Sequence, residues 1–314
     1  MVKVAVAGGT GGVGYAIVDA LREQSQHEFI LLSRNDNSEF AAKNNVEVIK
    51  IDYSDVSSIS KVLDEHKIHT VISALCIVSQ EHSDAQVNLV HAAAASSSVK
   101  RFVPSEYGSN YEEKHALTRP TTALKAIAIT ELAKTHLEYT SFVNGLFLDY
   151  LSMPAIPSHL AAGISFFDIP NKVAVPLGTG KVPLVMTHTR DVARFVVASL
   201  SLEKWEKRSY MVGDRKSWHE LVEILGKVAG EKFTIVDDPS SIIAGQVIEA
   251  PAHRAAYSAS LKEHGDWFEA GAFSFDVKVP NSIYLNELFP EIVPLSIEDA
   301  MRAQVQFTRE KTSS

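Results

Sequence analysis

The sequence predicts a doubly wound α/β fold, a parallel-sheet domain joined to a smaller mixed α/β lobe. Three observations carry that prediction. Strand-like and helix-like segments alternate through the first half of the chain. A glycine-crowded segment, AVAGGTGGVGYAI at 5–17, joins the first apolar run to the first helical one, and glycine fills five of the seven places from Gly8 to Gly14. The second half loses the alternation, broken by Pro154, Pro157, Pro170, Pro176 and Pro183.

The elements follow in order. VKVAVA (2–7) is short, apolar and bounded by glycine, as suits a strand buried on both faces. Val13, Ile17, Ala20 and Leu21 then recur at helical spacing. FILLS (29–33) and VEVIKI (46–51) are the next strands, followed by a helix through Val56, Ile59, Val62 and Leu63. HTVISAL (69–75) is the fourth strand, and Ser83 to Gln86 has the capping-box pattern of a helix start. VKRFVP (99–104) and EYTSFV (138–143) complete six strands, with a helix over 124–137 between them. Beyond these, a helix is expected from Thr189, a strand over 209–214, a capping box at Ser217–Glu220 opening a helix, and a last helix after Ser296. The parallel-sheet domain is placed at 1–150 and the smaller lobe at 151–314, with a segment at about 185–215 as a candidate to return to the first domain.

Composition bounds the partners. The 314 residues are 46% hydrophobic and 22% charged, enough for a sizeable core, and the net charge is −8. No basic stripe suits a nucleic acid, and no apolar run reaches membrane-spanning length. The single cysteine, Cys76, excludes an internal disulfide, and the first strand begins too early for a signal peptide, so a soluble, cytoplasmic protein is expected. No cluster has metal-ligand spacing, and the oligomeric state is left open.

The glycine segment carries the first chemistry. Gly8, Gly11 and Gly14 follow a strand and open a helix, the context in which backbone N–H groups receive a pyrophosphate. Thr10, Gly12 and Val13 complete that loop. An NAD site usually places a carboxylate at the end of the second strand for the ribose 2′-hydroxyl. Here that place reads Ser33-Arg34-Asn35, so a hydroxyl and a guanidinium stand where a 2′-phosphate would lie, which favours NADP(H). Asp52 and Tyr53 end the third strand, where Tyr53 is expected to cover the adenine. Ala74, Leu75 and Cys76 end the fourth, where backbone runs beside the cofactor, Cys76 as a small apolar filler.

At Val103-Pro-Ser-Glu-Tyr-Gly108 the sequence resembles the NmrA-like and isoflavone-reductase-like proteins, which are atypical short-chain dehydrogenases. The resemblance extends to the glycine loop, Arg34, Asp52–Asp55, Lys125, the Asn144–Phe147 segment and Asn-Glu-Leu-Phe-Pro at 286–290. It implies a Rossmann domain that binds NADP(H), a smaller substrate lobe, and a catalytic or cofactor-binding role for Lys125. It also implies contacts from Asn144 and Phe147. The family divides between NADPH-dependent reductases of phenolic or enone substrates and proteins that sense the dinucleotide on behalf of a protein partner.

Ordinary short-chain dehydrogenases use Tyr-x-x-x-Lys, whereas four residues before Lys125 stands Thr121. Lys125 is therefore expected to act alone, through water, or on the nicotinamide ribose, with Tyr107 as proton donor or substrate contact. His115 and His188 are weighed as acids and read as structural. Phe147, Tyr150 and Met153, with Trp267, Phe268 and Phe273 of the segment GDWFEAGAFSF, are the expected contacts of a flat aromatic or enone substrate, although the latter three suit a satellite core equally. The function expected is an NADPH-dependent reductase of such a metabolite, with a non-catalytic NADP(H) sensor or a cofactor-assisted isomerase or epimerase as alternatives.

Overall fold

The structure, a computed structural model, describes residues 1–109, 120–161, 167–174, 178–235, 267–275 and 280–312. It divides into two compact units. Unit 1 comprises Met1–Val143, Thr189–Met211 and Lys278–Ile292; unit 2 comprises Asn144–His188, Val212–Val277 and Val293–Ser314.

Unit 1 is built on a six-stranded parallel sheet. Its elements are β1 (Lys3–Ala7), α1 (Gly12–Gln24), β2 (Glu28–Ser33), α2 (Ser38–Asn44), β3 (Val48–Lys50), α3 (Val56–Glu65), β4 (Thr70–Ser73), α4 (Gln80–Ala95), β5 (Arg101–Val103), α5 (Pro120–Leu132) and β6 (Glu138–Tyr139). The strand order is β3-β2-β1-β4-β5-β6, the doubly wound order in which the chain reverses direction across the sheet beside β1. Val4 to Ala7 of β1 and Val71 and Ile72 of β4 have no exposure, because helices cover both faces. Ile17 and Leu21 of α1 are likewise buried, on a helix that packs against the returning helix Thr189–Ser199.

The expected strand over 138–143 divides in two. β6 pairs with β5 as far as Phe102↔Tyr139, and β7 (Ser141–Val143) pairs instead with the strand Arg208–Tyr210. Pro104 lacks the N–H that would continue the β5 ladder, so the partner changes at Thr140, whose hydroxyl lies 2.8 Å from that of Ser209. Arg208–Tyr210 also pairs with Ser282–Tyr284, so the later segments of unit 1 form a second, three-stranded parallel sheet.

Two other local expectations change. α4 starts at Gln80 with Ser79 as its cap, and its side chain accepts the N–H of His82. Ser83 and Gln86 are instead buried inside that helix, and the Ser83 hydroxyl donates to the Leu124 carbonyl at 2.8 Å, tying α4 to α5. The strand expected over 209–214 ends at Tyr210, and a separate strand runs Asp214–Ser217. Between them a Cβ at Gly213 would lie 2.4 Å from the Met186 carbonyl oxygen. The capping box at Ser217 and Glu220 is formed.

Unit 2 has its own core of Leu148, Leu184, Met186, Trp218, Leu221, Leu225, Phe268, Phe273 and Met301 with their neighbours. Helix Trp218–Ala229 packs there on the terminal helix Ile297–Thr312. Its strands form two small three-stranded sheets.

The loop after β1 makes a direct stability contrast. A Cβ at Gly14 would stand 2.2 Å from the Gly8 carbonyl oxygen, whereas nothing lies within 4 Å of one at Gly11. Gly14→Ala is expected to lower unfolding stability by about 2–3 kcal/mol through overpacking. Gly11→Ala should cost about 1 kcal/mol or less, the difference between glycine and alanine as an N-cap with no overpacking added. Urea denaturation of both variants measures the difference, and equal losses would contradict the assignment.

Candidate functional site

The site grows from the loop that follows β1. Gly8 has a φ of +80°, and a Cβ there would stand 2.6 Å from the Ala74 carbonyl oxygen. Gly8 and Gly14 are therefore required by the protein's own backbone packing. Gly11 serves otherwise. It is the N-cap of α1, with extended backbone, no side chain capping the helix and open space beside it. The first N–H groups of α1 and its positive dipole end face that opening, with exposed Thr10 and half-buried Gly12 and Val13 at its rim. An anion is the group this arrangement suits.

A cavity of about 760 Å³ opens at the ends of β2 and β3 and against α4, lined among others by Arg34, Lys50, Asp52, Tyr53, Asp84 and Asn88. Arg34 is exposed and makes no ion pair among the described residues. The Ser33 hydroxyl anchors the turn behind it, accepting the Asn35 N–H at 3.2 Å and the Asn37 amide at 2.6 Å. Asn37 carried no signal in the sequence. Asp52 also shapes backbone: the N–H and hydroxyl of Ser54 both donate to its Oδ1 at 2.8 Å. The Ser54 N–H, then its hydroxyl, hold the Asp52 carboxyl below its ordinary range. Tyr53 takes its place beside Asp52. It is buried in the core of unit 1, donates to the Leu32 carbonyl at 3.4 Å, and forms a fixed wall of the cavity. Burial pushes its hydroxyl up, with the Arg34 charge acting in the opposite direction.

The end of β4 is held by a network that the sequence did not disclose. The Ala74 N–H donates to the Ala7 carbonyl at 2.8 Å, and the Ser105 hydroxyl donates to the Leu75 carbonyl at 2.8 Å. The Gln86 Oε1 accepts both the Ser73 hydroxyl and the Ser105 N–H, each at 2.8 Å. A backbone N–H can only donate, so it sets which end of the Gln86 amide faces β5. Gln86 was disguised by its place in the Ser83 capping pattern. Ala74 and Leu75 are half-buried beside the glycine loop, whereas Cys76 is exposed; the expectation that it fills apolar space is corrected.

Tyr107 follows β5, buried and stacked on Phe142 with ring centroids 6.2 Å apart. Its hydroxyl has no hydrogen-bond partner among the described residues. Burial pushes that hydroxyl well up, so giving away its proton would strand a buried phenolate; a neutral donor is the role its surroundings permit. Lys125 lies on α5, half-buried, at the centre of the arc carrying buried Thr122, Ala128, Ile129 and Leu132. It belongs to the packed face of the helix and not to a solvated one. Thr121 keeps its place in α5; its side chain and His115 lie outside the described residues.

The other expected contacts belong to unit 2. Asn144 is buried, with its amide on the Gly145 carbonyl at 3.1 Å and its own carbonyl accepting the Thr187 hydroxyl at 2.8 Å. Half-buried Phe147 and Tyr150 meet edge to face at 6.4 Å, with Met153 also half-buried. Of the two readings of Phe268 and Phe273, the core one holds: they are 2% and 5% exposed and pack with Trp218, while Trp267 lies edge-on to Phe273 at 4.7 Å. His188 is buried with its Nε2 3.6 Å from the Oδ1 of buried Asp149, which also accepts the Ser158 hydroxyl.

Among the described residues no group of three His, Cys, Asp or Glu side chains is placed to hold a metal, and no helix is long and apolar enough to cross a membrane. The chain is 71% identical over 294 residues to a protein named Oxidoreductase BOA1 from Botryotinia fuckeliana, covering 94% of this chain and 96% of that one. Its fold matches the binary complex of leucoanthocyanidin reductase with NADPH from Vitis vinifera (TM-score 0.72, 19% identity, 96% and 99% of the two chains). It also matches AtPrR2 with NADP+ and (+)pinoresinol (TM-score 0.73, 20% identity, 96% and 98%). The model of the NmrA-like family matches residues 2–294, and the chain belongs to that family.

Proposed function

We propose that this oxidoreductase binds NADPH through unit 1 and reduces a small aromatic or enone-bearing metabolite, in the setting of secondary metabolism and of the cytoplasm. Arg34 carries the reading. It stands where an NAD site would place a carboxylate, lacks an ion-pair partner among the described residues, and borders a cavity roomy enough for a phosphorylated adenosine. A guanidinium there suits a 2′-phosphate, with which it can form paired charge-assisted bonds. Gly11 and the start of α1 suit the pyrophosphate by the same physics. The fold neighbours that hold NADPH or NADP+ support this choice.

The dinucleotide, when bound, supplies the hydride. The chain must bind it, keep its backbone frame rigid and answer the negative charge that develops on the substrate. Lys125 is assigned that last task, directly or through the nicotinamide ribose, because it stands half-buried on the packed face of α5 within unit 1. Tyr107 is assigned the role of neutral donor to the substrate. Its buried hydroxyl without a described partner costs stability unless something accepts it. In unit 2, Phe147, Tyr150 and Met153 offer the half-buried, largely aromatic surface that a flat substrate would stack on. The neighbour holding pinoresinol supports an aromatic substrate.

Lys125→Ala is expected to lower kcat/KM by about 100-fold or more, followed as loss of the reduced-nicotinamide absorbance against a panel of phenolic and enone compounds. Unchanged turnover would remove the assigned role, and no turnover of any compound by the parent protein would favour a dinucleotide sensor. Arg34→Asp should weaken NADPH binding by about 100-fold while leaving NADH binding within a few-fold; equal losses would contradict the 2′-phosphate reading. Tyr107→Phe is expected to keep or raise Tm, since it removes a buried hydroxyl that has no partner among the described residues, while lowering kcat/KM by about 10-fold. A fall in Tm without a change in kcat/KM would reduce Tyr107 to packing.

A further inference from the structure

We propose that Ser83 and Gln86 of α4 are positioning residues for the reaction, setting Tyr107 and Lys125 at a fixed separation. The inference rests on the NADPH-dependent reductase reading above. In a Tyr-x-x-x-Lys pair the two groups share one helix face, and the helix itself fixes their spacing. Here Thr121 occupies the tyrosine's place, Tyr107 follows β5, and Lys125 stands on α5. Local geometry therefore fixes neither group against the other, and a connection between distant segments has to do so. α4 supplies it. Ser83 and Gln86 are three residues apart on that helix, so they project from one face, and they are 1% and 0% exposed. The Ser83 hydroxyl donates to the Leu124 carbonyl at 2.8 Å, and Leu124 immediately precedes Lys125. The Gln86 Oε1 accepts the Ser105 N–H at 2.8 Å, two residues before Tyr107.

Both bonds hold main chain, and both end beside a group assigned to the chemistry. Gln86 also accepts the Ser73 hydroxyl at 2.8 Å, so the end of β4 is tied into the same joint. α4 is a stiff support for this purpose: it runs from Gln80 to Ala95, is capped by Ser79, and buries Leu89, Val90, Ala92 and Ala93. Apolar side chains at 83 and 86 would fill the same interior without the desolvation cost of a hydroxyl and an amide, so packing alone does not call for Ser and Gln. Tyr107 and Lys125 answer one developing charge, and a displacement of about 1 Å in such a site costs up to about 100-fold in rate. In that reading Arg34 and the glycine loop hold the dinucleotide, and Phe147, Tyr150 and Met153 hold the substrate. Loss of either α4 bond is therefore expected in kcat and not in binding.

Three measurements on the intact protein test the role together: steady-state kinetics with the phenolic or enone compound that the parent reduces fastest, fluorescence titration with NADPH, and thermal unfolding. In Ser83→Ala the Leu124 carbonyl lies inside α5, where helical geometry supplies another donor, so Tm is expected within about 3 °C of the parent. Its kcat is expected to fall about fivefold, with KM and the NADPH Kd within about twofold. Gln86→Met removes the acceptor and is expected to lower kcat about 30-fold and to speed hydrogen exchange of the Ser105 amide. Gln86→Glu, whose carboxyl burial keeps neutral, retains the acceptor oxygen and is expected to hold kcat within about threefold of the parent. If Gln86→Met does not fold, Ser83→Ala and Gln86→Glu carry the test. In a Lys125→Ala background, Ser83→Ala is expected to lower kcat no further, because the group it places is gone. The same proportional loss in both backgrounds, or losses confined to KM, Kd or Tm, overturns the positioning role. Unchanged kcat in Ser83→Ala and Gln86→Met, alongside the losses expected in Lys125→Ala and Tyr107→Phe, overturns it and leaves the reductase reading standing. Unchanged turnover in Lys125→Ala and Tyr107→Phe overturns that reading and the positioning role with it.

Discussion

One close approach of backbone upon backbone organises the carboxyl end of the sheet in unit 1. Gly14 stands against the carbonyl of Gly8, and Gly8 stands against the carbonyl of Ala74, at separations that no Cβ could share. The first contact lets α1 begin almost on top of the strand that precedes it. The second draws the segment after β4 beside the glycine loop. An open helix start and a run of backbone beside it are thereby brought together with no flexible side chain between them. Peptide groups fixed in this way need no reordering when an anion arrives, which is the physical value of building a phosphate site from main chain.

The segment after β4 is held from the other side by side chains. Gln86 joins Ser73 to Ser105, and Ser105 in turn holds the Leu75 carbonyl. These are buried bonds, and losing one partner would leave the other's polar group unsatisfied in a dry interior. The Pro-Ser-Glu-Tyr-Gly segment thus has a structural part in its serine and a chemical candidate in its tyrosine. In the proposed reading rigid main chain places the pyrophosphate, and exposed Arg34 at the end of β2 selects which dinucleotide supplies it. Position and choice are set by different kinds of group, so the second can vary without disturbing the first.

Legibility in the sequence followed the range of the interaction. The parallel sheet was readable because each strand is a short apolar run bounded by glycine or polar residues, and burial on both faces leaves that mark on the strand itself. The glycine loop was readable for the same reason. What failed were features decided by partners distant in sequence. Nothing in EYTSFV announces that Pro104, more than thirty residues earlier, ends one ladder and forces Thr140 to hand the strand to Arg208–Tyr210. Ser83 and Gln86 look like a helix cap because the pattern is local, yet their bonds go to Leu124, Ser73 and Ser105. Phe268 and Phe273 lie in a glycine-flanked segment typical of a loop, but Trp218 and its neighbours bury them.

The groups with chemical potential divide unevenly between the two units. Lys125, Tyr107, Arg34 and the glycine loop all belong to unit 1, so cofactor binding and the answer to developing charge are assigned to one rigid framework built on the parallel sheet. Unit 2 contributes Phe147, Tyr150 and Met153 on a short stretch whose backbone is pinned by Thr187 to Asn144, beside a separate aromatic core. Stacking surfaces tolerate exchange of one aromatic or aliphatic residue for another, whereas a helix-borne ammonium and a buried hydroxyl do not. A family built on this plan can change its substrate by altering the second unit while the first keeps its chemistry. In the proposed reading, then, the choice of metabolite falls to the half-buried residues after β7, and the choice of reaction to α5 and the segment after β5.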